Sequence, residues 1–225
     1  MALRVAGVAF GMAAFTGTHL LLSHPPVRQD LIAKLGDQKF KGLYSMIALG
    51  TLVPTAFFYA RFGRGVGPRL YNTTSLIQRL GGFGFKALGA ITFSQAVTQP
   101  NPIVINANRE PGAKITEKDV EAKGIYRISR HATFMSFALL GIGNVLTRGH
   151  LSDIIFWGTF PIYWVVGSTM QDERLKLTYP ASYFENTSLL PFHAVIKGKQ
   201  SLKEALAEMS PKSAIIALLA PVFFL

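Results

Sequence analysis

The sequence predicts an all-α protein, a polytopic bundle of membrane helices. Three observations carry that expectation. Apolar residues make up 49% of the 225 and charged residues only 16%, where a globular domain carries about a quarter charged. The deficit is uneven, with blocks almost free of charge alternating with basic connectors. The blocks at 3–23, 43–60, 81–98, 131–147 and 151–168 also lie near the length at which a helix crosses about 30 Å of hydrocarbon, with a shorter block at 213–225.

Taken in order, block 3–23 begins like a signal sequence, with Arg4 ahead of an apolar run rich in small residues. The run is long enough to span, so a retained first span is expected. Gly7 and Gly11 have the spacing of a closely packed helix pair, and His24 before Pro25 ends the helix. Block 43–60 is the second span. "RFGRGVGPRLYN" (61–72) follows as a Gly- and Arg-rich turn, without the strand-then-helix context of a dinucleotide fingerprint. In block 81–98, Lys86 is near enough to one end to carry its ammonium to the lipid interface.

The connector 99–130 is expected to be soluble and irregular through "TQPNPIVINANREPGAK", given its prolines and glycine. "ITEKDVEAKG" then reads as a short polar helix, with Thr116 as N-cap, Asp119 three residues on and Gly124 as stop. Block 131–147 spans if its helix begins near Arg127. Block 151–168 is the fifth span, with Asp153 capping its start. "SLKEALAEM" (201–209) is an amphipathic segment for the membrane surface or a partner. Block 213–225 is too short to span unaided and reads as an anchor that lies along the interface, inserts halfway or packs on a neighbour. The whole of 1–225 is thus one transmembrane domain, five spans plus a C-terminal apolar anchor.

The net charge is +11, and most of the lysines and arginines fall in connectors 25–42, 99–130 and 169–212. That asymmetry sets these connectors on the cytoplasmic or matrix side, with the N-terminus opposite, and makes anionic lipids natural partners. No nucleic acid is expected, because no soluble basic face carries interleaved aromatics. The absence of cysteine excludes disulfides, iron–sulfur clusters and thiolate metal sites.

No Ser/His/Asp spacing and no acidic pair within a span supports hydrolysis. Among the five histidines, His19 sits inside the first span. A buried imidazole there either hydrogen-bonds to a neighbouring helix or serves as an axial haem ligand. Arg127, Arg130 and His131 stand at the mouth of the fourth span, where basic side chains usually anchor a helix at the headgroups.

"GTHLLLSHPPVRQDLIAKLGDQKFKGLYSMIALGTL" (17–52), "QPNP" (99–102), "GIYRISRHATFMSFALLGIGNVLTRGHLSDIIFWGTF" (124–160) and "PFHAVIKGK" (191–199) together resemble the NnrU family, in order and over nearly the whole chain. The family comprises multi-pass membrane proteins. It includes bacterial proteins associated with denitrification and the plastid zeta-carotene isomerase, in which histidines hold a haem b that performs redox-gated isomerisation. The resemblance implies that His19 and His131 are the candidate haem ligands. It also shows departures: the proline usual after the second of these is Ala132, and a further family histidine thirteen residues on is Asn144, an amide and a poor iron ligand.

Two functions follow as expectations. The first is a non-catalytic accessory subunit of a larger assembly, a mitochondrial respiratory complex, with other membrane subunits as partners and no cofactor. The missing histidine, the apolar terminus and the amphipathic segment favour it. The alternative is a haem-b-dependent isomerase acting on a polyene or another apolar substrate, with His19 and His131 as ligands. The expected location is the mitochondrial inner membrane, or else a bacterial inner membrane or a plastid membrane. A transporter is disfavoured by the lack of broken or repeated spans.

Overall fold

The computed structural model describes residues 1–107 and 115–219, and every regular element among them is a helix. Helix α1 (Ala2–Ser23) ends where His24 turns extended ahead of Pro25, and the proline then opens α2 (Pro25–Leu35) at a position where its missing N–H costs nothing. Gly36, at φ 82°, separates α2 from α3 (Asp37–Phe58). α3 runs through Pro54 and continues as a π-helical turn, Tyr59–Gly63.

α4 (Leu76–Thr98), α5 (Pro102–Ala107), a 3-10 turn (Glu117–Val120) and α6 (Ile125–Ile128) come next. They are followed by α7 (Ala132–Thr147), α8 (Leu151–Leu175), α9 (Ala181–Asn186), α10 (His193–Ile196), α11 (Leu202–Glu208) and α12 (Pro211–Leu219).

Two segments, α1 and Asp37–Gly63, are long and apolar enough to cross a membrane. α7, at 16 residues, is shorter. Met46, Leu49, Val53 and Phe57 lie at helical spacing on α3 and are more than half exposed, an apolar row suited to lipid contact.

Residues 102–107, expected to be irregular, form α5. Pro102 presets the first helical φ, and the Asn101 side chain accepts a hydrogen bond from the Ile103 amide (2.9 Å), which starts the turn. The polar helix after it is a single 3-10 turn that stops at Val120, short of Gly124. Its cap is as expected from sequence: the Asp119 carboxylate accepts from the Thr116 amide (2.8 Å) and hydroxyl (2.6 Å). Arg109 and Lys114 of the connector and residues 220–225 of the apolar terminus lie outside the described residues.

The chain divides into two compact units, Met1–Phe85 with Gly141–Met170 and Lys86–Leu140 with Gln171–Leu225. In the first, α1 packs on α3 through its small residues: a methyl at Gly7 would lie 2.7 Å from the Phe58 ring, and one at Gly11 would lie 2.6 Å from Thr55 Cγ2. Val8, Met12, Phe15, Tyr59, Phe156 and Phe160 form the core there. Asp153, expected as a cap, is instead 1% exposed. It accepts from the Tyr59 hydroxyl (2.6 Å) and the Gly65 amide (3.2 Å), since a carboxylate closed away from water needs donors.

The second unit is centred on Ile103, Val120, Leu175, Tyr179 and Tyr183. Here the chain's last helices are tied down by polar side chains. Gln95, 1% exposed, accepts from the Ser210 amide (2.9 Å) and donates to the Ser210 carbonyl (2.8 Å). Gln99 donates to the Glu208 carbonyl (2.8 Å). Segment 201–209, expected on a membrane surface or a partner, is thus docked on its own chain as α11, with Ser201 accepting from the Glu204 amide.

Candidate functional site

The residues with chemical potential gather at the start of α7. α6 ends at Ile128, and Ser129 is extended at φ −150°. Its hydroxyl donates to the Leu189 carbonyl (2.8 Å), and the Arg130 amide donates to the Ser188 carbonyl (3.0 Å). These two bonds fix the backbone so that Arg130 and His131 turn inward.

Asp172, four residues past the apolar part of α8, receives both. Arg130 donates through Nε to Oδ1 (2.9 Å) and through Nη2 to Oδ2 (2.6 Å), the two-pronged geometry that suits guanidinium and carboxylate. Its Nη1 donates to the Thr187 carbonyl (2.8 Å), and its head lies 5.3 Å from the Phe184 ring centre. His131 Nε2 lies 2.7 Å from Asp172 Oδ1. Side-chain exposure is 10% for Arg130, 10% for Asp172 and 1% for His131.

Arg130 donates to both Asp172 oxygens and so holds the group as a carboxylate. The carboxylate therefore stays ionised and can only accept, so His131 donates Nε2–H to it.

Arg127, one turn earlier, is also committed to protein groups. It donates through Nε and Nη2 to Glu208 (2.9 and 2.8 Å) and through Nη1 to Gln200 (2.9 Å). Its side chain is 13% exposed. Arg127 and Arg130, expected at lipid headgroups, thus face carboxylates of the second unit. Lys86, expected to reach the lipid interface, is 3% exposed.

His19 lies in the first unit. Its Nε2 is hydrogen-bonded to the Tyr44 hydroxyl (2.5 Å), which also pairs with Ser23 (2.9 Å). The Phe15 and Tyr163 rings lie 5.3 and 5.4 Å from the imidazole. Asn144, at the family's further histidine position, is 2% exposed and accepts from Arg148 Nε (3.0 Å).

This donor set does not offer a haem two free imidazole Nε2 atoms. The Nε2 of His19 is held by Tyr44, that of His131 by Asp172, and position 144 offers an amide already bonded to an arginine. Each histidine has a partner within its own unit, and the second ring nitrogen of His19, Nδ1, is buried without one among the described residues. Among the described residues, no group of three His, Cys, Asp or Glu could hold a metal ion. What the arrangement can do is lock: two arginines and a histidine fasten α6 and the start of α7 to the end of α8 and the segments that follow it.

Sequence reasoning singled out Arg127, Arg130 and His131 but missed Asp172, Glu208 and Tyr44. Asp172 and Glu208 lie 42 and 81 residues from their arginines, beyond the reach of any local pattern. One signal was present. With 12 acids against 23 bases, two inward arginines leave few carboxylates able to serve them, and Asp172 is the first acid after the fifth apolar block.

A family model described as NnrU protein matches residues 8–224. No curated protein and no solved structure matches the chain.

Proposed function

From the premise that this chain belongs to the NnrU family, we propose that it is a non-catalytic membrane subunit, an accessory component of a larger assembly such as a mitochondrial respiratory complex. That it is a membrane protein follows from the family and the two apolar helices. In the proposed arrangement α1, α3 with its π-helical turn, α4, α7 and α8 make five crossings, the basic connectors face the matrix, and α12 anchors the end of the chain. Other membrane subunits and anionic lipids cover its apolar and cationic surfaces.

One observation carries this reading. The Arg130 and His131 side chains of the family signature are spent on one carboxylate, with His131 donating to an Asp172 that Arg130 already holds by two prongs. An imidazole oriented by a clamped carboxylate is the inner half of a catalytic dyad, yet here it is 1% exposed, and no nucleophile is bonded to it among the described residues. The signature thus supports a structural part.

The test is an absorption spectrum of the detergent-purified chain, oxidised and then dithionite-reduced, with native electrophoresis of the source membrane. The expected result is a featureless visible spectrum and migration within a larger assembly. Sharp reduced bands at one b-type haem per chain, lost in His19→Ala, would overturn it in favour of the haem-dependent isomerase.

A further inference from the structure

The stretch 190–206 keeps an apolar face outward even after α10 and α11 have docked. Both helices pack on α6, and each buries one alanine, Ala194 or Ala205. Away from those alanines, Leu190, Phe192, Ile196, Leu202 and Leu206 remain between 40% and 81% exposed.

Charge is sorted across the same stretch. Lys197, Lys199 and Lys203 are exposed. Glu204 and Glu208, the only acids in 190–209, both lie against Arg127 (3.3 and 2.8 Å). At 3.6 residues per turn, Leu202, Leu206 and Lys203 share one side of α11, and the two glutamates fall on the other. The outward face therefore mixes lysines with apolar side chains, while its own acids are committed elsewhere.

Phe192 supplies an independent observation. It is the one non-glycine among the described residues with a positive φ, at 62°, a conformation that bulky side chains rarely adopt. Its amide donates to the Ile128 carbonyl (3.0 Å), and the Ala194 amide donates to the Ser188 hydroxyl (3.0 Å). These bonds hold the backbone in a strained shape whose product is an exposed aromatic ring. Strain of this kind persists where the surroundings over-determine it, and it collects at functional positions.

We propose that this face lies in the headgroup layer of an anionic bilayer. Phe192, Ile196, Leu202 and Leu206 enter the edge of the acyl region, and the three lysines meet lipid phosphates. Buried apolar area and attraction to anionic lipid add together in such interfacial segments. In the five-span arrangement proposed above, 169–212 emerges on the basic side, within reach of that leaflet. The inference rests on that arrangement, which the sidedness of Glu185 tests on its own. It does not rest on the absence of haem, so a haem spectrum would overturn the accessory-subunit reading and leave this one standing.

The full chain in lipid nanodiscs provides the test. It has no cysteine, so Ile196→Cys or Leu206→Cys takes a single environment-sensitive fluorophore. In discs containing phosphatidylglycerol, both labels should brighten and be quenched by lipids carrying a nitroxide just below the headgroup. In pure phosphatidylcholine they should stay mostly in water. The triple variant Lys197→Gln, Lys199→Gln, Lys203→Gln should lower the ratio of immersed to aqueous label by roughly fivefold per lysine, the effect of one basic residue near an anionic surface. Phe192→Gly relieves the backbone and removes the ring, so the melting temperature should hold or rise while that ratio falls roughly tenfold. Labels that stay in water in the anionic discs, respond equally in both lipids, or ignore the triple variant overturn the proposal. So does a label shielded from water yet untouched by the lipid quencher, which would place a second copy of the chain on this face.

Discussion

Asp172 receives Arg130 through two nitrogens and His131 through one, with all three side chains at 10% exposure or less. Asp172→Asn leaves a guanidinium buried without its counter-charge, and breaking one partner of such a pair costs about 3–5 kcal/mol. Chemical unfolding in detergent should register that loss. A variant within about 0.5 kcal/mol of the parent would show that the cluster is solvated. Glu208 gives a pH signature of its own. The hydrogen bond from Arg127 outweighs a small burial effect and, with the Gly124 amide, lowers its pKa from 4.5 to about 2. A depressed carboxyl stabilises the folded form above its unfolded pKa and loses that contribution as pH falls through the folded one. Docking of α11 should therefore be complete at pH 5 and weaken towards pH 2, read as faster amide exchange across residues 202–208. Arg127→Gln should flatten that profile.

Helices α1 and α3 meet where side chains are smallest. At Gly11 the obstacle to a methyl is Thr55, whose branch point sits against its own backbone and cannot swing away, whereas at Gly7 it is the outer edge of the Phe58 ring. Gly11→Ala should thus cost about 1–3 kcal/mol by overpacking and exceed Gly7→Ala. Gly17→Ala meets nothing within 4 Å and should be neutral or raise stability by up to about 1 kcal/mol, the usual gain of alanine over glycine inside a helix. Thermal melts of the three variants decide this ranking. The close pairing was legible from Gly7 and Gly11, because a small-residue stripe needs only one helix to be seen. The five long apolar blocks likewise fall within α1, α3, α4, α7 and α8, overrunning their ends by at most two residues. Two features of the elements were not legible. α3 carries on past its apolar block as a π-helical turn that brings Tyr59 to Asp153, a contact set by packing. α5 hid behind a Pro and two Asn that look like a loop until Asn101 is seen capping it.

For the molecule as a whole, the proposed topology makes a sharp demand. The chain contains no cysteine, so single cysteines report position without background. Thr74→Cys should react with a membrane-impermeant maleimide from one side of a sealed vesicle, and Gln38→Cys and Glu185→Cys from the other. Labelling of all three from the same side would exclude the five-span arrangement. At this scale the labelling pattern is what the charge asymmetry predicts, while the candidate site was half legible. Arg130 and His131 stood out beside an apolar run, but Tyr44 lies 25 residues from His19 and Asp172 lies 41 from His131, and only folding brings those pairs together.

The clasp of Gln95 on Ser210 also sets a timetable for biosynthesis. The carboxamide emerges from the ribosome 115 residues before the backbone it will bind. At about 5–20 residues per second, it waits roughly 6–23 s in a helix with few polar neighbours. A nascent chain that stalls before Ser210 presents that bare amide to whatever surrounds α4. Delivery of Ser210 is then the step that conceals the feature by which an incomplete copy could be recognised and removed.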